Sequence, residues 1–354
     1  MRKTEKKYDY PELKTPPPPS IAVLDMDSIL FKAAMAGETT WYIAKDAEGK
    51  EICRFDSAQA YKNWYEMLCD GMDFIHFYSG DPEQVTREIE YELKDVKNCY
   101  RTFDNVVEEW LDYTGCEEWV GYVGKKTGAR VFRYDIATIH PYKKGREGSR
   151  KPRYLESVRK YANKNPNIKT VRNDVEVDDR VIEIAEKLKH RACLGVSDKD
   201  GLQARGCWIM LMDQWEEPVF SSKRYVGTLW QEGKKVYGTS YLFHLFQLLK
   251  GDKQVDGIVG IPKFGDKKSF ALLEEFSGVH IKHLPEAIRV VANEYKEYYG
   301  DEHKYAHCYS GEEVVASWRD ILEENLRLLW MKRHKDDVGQ EIMKHVPLSI
   351  DSPE

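Results

Sequence analysis

The chain has 354 residues, 42% of them apolar and 12% aromatic, which is ample for a packed core and excludes a disordered or fibrous protein. With a formal charge of -6 and a mean hydropathy of -0.64, it contains no apolar run near the length of a membrane span. Met1 to Tyr10 is basic and lacks the apolar stretch of a signal peptide, so a soluble cytoplasmic protein is expected. Seven cysteines without a CxxC pair predict reduced thiols, several of them buried. The net charge hides segregation: Lys125 to Lys169 is densely basic, with Lys143, Lys144, Arg146, Arg150, Lys151 and Arg153, and is where phosphate is expected to bind.

Along the chain, Lys14 to Ser20 carries four consecutive prolines and reads as an extended tether. Ile21 to Leu24 then reads as a buried strand that delivers Asp25 and Asp27 to its end, with a helix starting over Ile29 to Met35. From Ser57 to Asp112 the apolar spacing, including positions 89, 93 and 96, favours helices. Trp119 to Val123 and Ile168 to Val171 read as strands, Asp174 to Leu188 as a helix, and Arg191 to Val196 and Trp208 to Met212 as further strands. Strands alternating with helices predict a mostly parallel sheet with helices on both faces. Ser240 to Leu249 reads as an apolar helix, followed by a Gly-rich stretch, a helical Ser269 to Phe276, and helix again over Glu312 to Met331.

Four acidic clusters stand out: Asp25 with Asp27; Glu176, Asp178 and Asp179; Asp198 with Asp200; and Asp252 with Asp256. The first and third follow apolar strands directly, and open α/β sheets gather ligands beyond the carboxyl ends of such strands. Crowded carboxylates need a cation, and hard oxygen donors select Mg²⁺ or Mn²⁺. Two such ions about 4 Å apart activate water and neutralise a leaving oxygen at phosphorus. Arg133, Tyr142, Lys143, Lys144 and Arg146 are candidates for binding substrate phosphates and, near the scissile one, for stabilising transition-state charge. The bland alternatives are helix capping for Glu176 to Asp179 and a solvated basic loop for the lysines.

These landmarks, in order, resemble the flap endonuclease and 5′-3′ exonuclease superfamily, the PIN-like 5′ nucleases, and look closest to its bacteriophage exonucleases. The landmarks are the strand-end Asp25, Tyr142-Lys143-Lys144-Gly145-Arg146, Glu176-Val177-Asp178-Asp179, Ser197-Asp198-Lys199-Asp200, and Gly251-Asp252 through Lys268. The resemblance implies a PIN-like α/β core at 21–238 after a basic tail at 1–20. Within the core it implies a helical insertion at about 57–115 and a basic arch at about 125–165, followed by a helix-two-turn-helix and C-terminal helices at 239–354. It also implies two divalent ions held directly or through water by Asp25, Glu176, Asp178, Asp179, Asp198, Asp200 and Asp256, with Lys143 and Arg146 on phosphates beside the scissile bond. The loop glycines Gly260 and Gly265 and the lysines Lys267 and Lys268 would meet duplex phosphates, and family members often hold a K⁺ ion in that loop. The expected substrate is DNA with a 5′ end or flap, or an RNA:DNA hybrid, cut by a monomer in a phage-infected cell during replication, recombination or primer removal.

Two positions depart from the family pattern. Gly124 follows the Trp119 to Val123 strand where the family usually has an aspartate, a ligand that Asp27 or Asp81 could replace, and Asp252 and Asp256 are four apart rather than three. Two rival readings stand beside the nuclease. A haloacid-dehalogenase-like phosphatase would use Asp25 as nucleophile and Asp27 as acid, but needs a strand before its GD motif. A non-catalytic nucleic-acid-binding relative is favoured by Gly124. His303 and His307 beside Cys308, and His280 with His283, form no complementary zinc set. Cys193 and the spacing of Trp318, Leu322, Leu326 and Leu329 read as core.

Overall fold

The computed structural model describes Tyr8, residues 15–70, Tyr78, and residues 80–125, 131–146, 148–172, 174–252 and 256–350, with only the backbone of Arg146. Most of the proline-rich tail's basic start, arch residues 126–130 and 147, and loop residues 253–255 therefore lie outside the described residues. The polypeptide divides into two compact units. The first is Met1–Ser28, Glu108–Arg150 and Asn165–Glu354, and the second is Ile29–Val107 with Lys151–Lys164.

Strand β1 is Ile21–Asp25 and helix α1 is Met26–Met35. The second unit continues with β2 (Glu38–Lys45), β3 (Glu51–Phe55), α2 (Ala58–Cys69) and β4 (Thr86–Leu93), and α3 (Val96–Thr114) leads back to the first unit. The three strands form an antiparallel sheet ordered β3-β2-β4. The helical reading of residues 86–93 is therefore corrected: Thr-Arg-Glu-Ile-Glu-Tyr-Glu-Leu alternates acidic and apolar side chains, and a period of two fits a pleated edge strand. Because every residue of β4 is exposed, no apolar run marked it as a strand.

In the first unit, β5 (Glu118–Val123) precedes a short α4 (Arg133–Ile136). Helix α5 (Leu155–Ala162) belongs to the second unit. Then come β6 (Ile168–Thr170), α6 (Val177–Leu188), β7 (Ala192–Val196), β8 (Trp208–Leu211) and β9 (Val219–Phe220). These strands build a six-stranded sheet ordered β6-β5-β1-β7-β8-β9, parallel except for β9. The fold is thus a mixed α/β structure on a mostly parallel sheet. Leu24 of β1 is flanked in register by Gly121 and Gly195, and a side chain at either glycine would collide with Met26 or with Leu24 itself. From the central β1 the order runs outward to β5 on one side and β7 on the other, so the connections diverge and leave a crevice beyond the strand ends.

The rest of the first unit holds the hairpin β10 (Leu229–Glu232) and β11 (Lys235–Gly238), then α7 (Ser240–Lys250), of which all but the last residue is buried. A short antiparallel pair, β12 (Gly251–Asp252) with β13 (Ile258–Val259), leads to α8 (Asp266–Leu273) and α9 (Leu284–Tyr299). Because α7 is a helix, the strand that a dehalogenase-like phosphatase needs before Gly251-Asp252 is absent. A second hairpin, β14 (His303–Ala306) and β15 (Glu313–Ala316), precedes α10 (Trp318–Leu329) and the short α11 (Gln340–Met343). The helix read over Glu312 to Met331 therefore begins only at Trp318, where Ser317 and Asp320 form a capping box. Trp318, Leu322, Leu326, Leu329 and Cys193 are all core. His303 lies on a strand, not at helical spacing from His307. Among the described residues no helix is long and apolar enough to cross a membrane.

Candidate active site at the strand ends

Asp25 closes β1 and is buried; its Oδ1 accepts the Asp27 N–H at 3.0 Å, and Ser28 Oγ donates to Oδ2 at 3.5 Å. Asp198 follows β7 and caps a 3-10 turn, its Oδ1 accepting the Asp200 N–H at 3.2 Å. Asp178 lies in the first turn of α6, and its carboxyl and that of Asp25 act on each other electrostatically. The first three acidic clusters thus face one another. Burial, the Asp27 charge and, more weakly, Asp198 push Asp25 up to about 7. Asp178 is driven well above the carboxylate range by burial, then by Asp25 and Asp198. Burial, then Asp198 and Asp256, push Asp200 up to about 8.

Two carboxylates of the α6 cluster are held differently. Arg133 is fully buried and forks onto Asp179, with Nη1 and Nη2 donating to Oδ2 and Oδ1 at 3.0 and 2.8 Å. It also donates to Glu176 and to the backbone oxygens of Leu328 (3.0 Å) and Trp330. Lys332 N–H adds a bond to Asp179 Oδ1 at 2.9 Å. Arg133 was expected on substrate phosphate; it sits inside the protein instead, its donors spent on internal acceptors, and clamps the start of α6 to the C-terminal segment. Tyr142, expected on nucleic acid, is likewise buried, its hydroxyl 3.3 Å from Glu176 Oε2.

Lys143 remains partly exposed and bonds Glu176 through Nζ. Burial works to raise the Glu176 carboxyl, yet Arg133 and Lys143 outweigh it and hold the group below its ordinary range. Lys143 has φ of 60°, a left-handed conformation costly for a side chain with a Cβ, and its N–H donates to the Asp256 oxygen at 3.0 Å. The basic segment is thereby pinned to the Gly251 loop, where a Cβ at Gly257 would strike the Pro141 oxygen at 2.7 Å. Lys144 is exposed.

Of the two loop aspartates, Asp256 is buried and acts on Asp200, whereas Asp252 pairs with Lys199 at 3.0 Å. Two residues unforeseen in the sequence support this side: Gln247 of α7 donates to Asp200 Oδ1 at 2.5 Å, and Gln203 donates to Gln247 Oε1 at 2.9 Å. For Gln247 the available signal is a glutamine inside a buried, mostly apolar helix. A crevice of about 410 Å³ opens beside Asp198, with Ser28, Ser197, Lys199, Lys235 and Lys250 among its walls.

Gly260 is buried, not presented to solvent. A Cβ there would meet Gly251 N and Leu249 O at 2.4 Å each, backbone atoms that cannot swing aside. Gly260→Ala should therefore destabilise the protein by about 1–3 kcal/mol, visible as a lowered melting temperature. An unchanged melting curve would show that the two strands separate freely. Gly265 and Lys267 are exposed, and Lys268 Nζ lies 3.6 Å from the Phe264 ring centroid.

At Gly124, beyond β5, the N–H donates to Asp27 Oδ1 at 3.0 Å. Asp81 is in the second unit and caps a 3-10 turn, accepting the Glu83 N–H at 3.0 Å. The crowding of buried acidic groups fits a hard divalent cation, although among the described residues no group of three or more His, Cys, Asp or Glu side chains is already drawn close enough to hold one.

No protein-family model and no curated protein matches the chain. Among solved structures, it is similar to a flap endonuclease of bacteriophage T5 in a pseudo-enzyme-product complex with DNA and metal ions. That match has a TM-score of 0.42 and 15% identity, and covers 69% of this chain and 87% of that one. A mutant of the T5 5′-exonuclease matches with a TM-score of 0.39 and 15% identity, covering 69% of this chain and 88% of that one.

Proposed function

We propose that the protein is a metal-dependent 5′ nuclease that hydrolyses phosphodiester bonds of DNA, as a 5′ to 3′ exonuclease or flap endonuclease. The observation that carries this reading is the convergence of Asp25, Asp178, Asp198 and Asp200 beyond the ends of β1 and β7 and the start of α6. These groups, with Asp27 and Asp256, would hold the divalent ions. When bound, such ions supply an activated water and neutralise charge on the leaving oxygen.

The chain's own residues do the positioning. Arg133 and Asp179 fix the first turn of α6, so Asp178 enters the site from a rigid element. Gln247 orients Asp200. Lys143, held in place by Asp256 and paired to Glu176, can exchange that partner for a phosphate oxygen and favour the charge that builds there. The serine- and lysine-walled crevice beside Asp198 suits the strand that continues past the reacting phosphate.

The test is digestion of 5′-labelled flap, blunt-duplex and RNA:DNA substrates with Mg²⁺ or with chelator. Wild type should release labelled products only with metal, and Asp198→Ala should cut about a hundredfold more slowly or worse. Undiminished cleavage by Asp198→Ala would overturn the site assignment. Which substrate is consumed fastest separates exonuclease from flap endonuclease and DNA from RNA.

A further inference from the structure

Gly124 lies just past β5, next to β1 in the sheet, two residues beyond Tyr122, the register partner of the strand-closing Asp25. A Cβ built there would come within 2.6 Å of Asp27 Oδ2, so a side chain at 124 would have to push the Asp27 carboxylate aside. The space that residue 124 would fill is thus taken by a carboxylate from α1, and the bare Gly124 N–H anchors that carboxylate through Oδ1 at 3.0 Å. Asp27 also acts electrostatically on Asp25. One strand end lacks a side chain, and the first turn of the neighbouring helix supplies an oxygen donor in its place.

We propose that Asp27 is a divalent-metal ligand that stands in for a strand-end carboxylate at position 124, and that the glycine there leaves room for the Asp27 carboxylate in its present orientation. The inference rests on the metal-dependent reading above. It couples the two positions: a side chain at 124 would turn the Asp27 carboxylate out of its present orientation. An acid at 124 with a small residue at 27 would restore the donor from the strand.

The experiment is titration of Mn²⁺ into wild type, Asp27→Asn, Gly124→Asp and the double variant Asp27→Gly/Gly124→Asp, by calorimetry and by Mn²⁺ spin resonance, with melting curves for each. Asn keeps an oxygen for the Gly124 N–H, so Asp27→Asn should melt near wild type yet bind Mn²⁺ about tenfold or more weakly. Gly124→Asp should melt lower, and the double variant should recover most of the lost affinity. If wild type binds Mn²⁺ and Asp27→Asn binds it equally well, the relocation is overturned while the nuclease reading stands. If wild type binds no Mn²⁺, both fall. Should Asp27→Asn fail to fold, the double variant decides: affinity near wild type supports the relocation, and loss of binding in a folded double variant overturns it.

Discussion

Replacing Arg133 by methionine should cost about 3–5 kcal/mol of stability, a larger loss than any other single change considered. The guanidinium is fully buried and satisfies four acceptors: Asp179, Glu176 and the oxygens of Leu328 and Trp330. Burial disfavours its charge, but Asp179 and Glu176 outweigh that penalty and raise its pKa further. Without Arg133, Asp179 keeps, among the described residues, the Lys332 N–H alone and is stranded as a buried charge. Arg133→Lys should be rescued only in part, because an ammonium cannot fork onto both Asp179 oxygens. Adding Asp179→Asn to the methionine variant should recover stability, since the stranded charge is then gone. Thermal or urea unfolding reads all three. A methionine variant within about 1 kcal/mol of wild type would show that the cluster contributes little.

The second large effect is a coupled dependence of stability on pH and metal. In the native protein Asp25 and Asp200 are raised to about 7 and about 8, with burial the leading cause in each, and Asp178 is raised well above its ordinary value. Between the unfolded carboxylate pKa near 4 and these values, the folded state keeps protons that the unfolded state has released. Their contribution is therefore fully present below about pH 4 and is lost as pH rises through about 7 to 8. With chelator, wild type should lose stability over this window relative to an Asp25→Asn/Asp200→Asn variant, which has no charge to bury there. Glu176 shifts the other way but is common to both proteins, so the difference isolates the aspartates. Saturating Mn²⁺ should restore stability at pH 8 and add little at pH 5, where protons compete for the same oxygens. Parallel melting profiles for the two proteins, or no metal effect at pH 8, would refute this account.

The candidate site was readable because buried parallel strands carry continuous apolar runs, and a carboxylate at the end of such a run falls at the edge of the sheet. Ile21 to Leu24 before Asp25, and Ala192 to Val196 before Asp198, are of this kind. The second unit's strands were not readable, because β4 is exposed along its length and offers alternation in place of a run. The roles within the basic segment were not readable either. Arg133, Tyr142 and Lys143 look alike as a stretch of charge and aromatics. Only the tertiary neighbours, Leu328, Trp330 and Asp179 for the first and Asp256 for the last, turn one inward and leave another facing the carboxylates. Gly124 looks like a missing ligand in the sequence, and only the structure shows the Asp27 side chain, from the first turn of α1, bonded to its N–H and filling that space.

The clamp on Arg133 spans 195 to 197 positions of sequence, from α4 to the carbonyls of Leu328 and Trp330. Contacts of such separation form after the local helices and strands, since the intervening loop must be closed first. A chain clipped by a protease between Asp256 and Leu328 keeps every aspartate of the candidate site but has no finished platform for α6. Cleavage in that interval is therefore expected to loosen the first turn of α6 while every aspartate of the candidate site is still present.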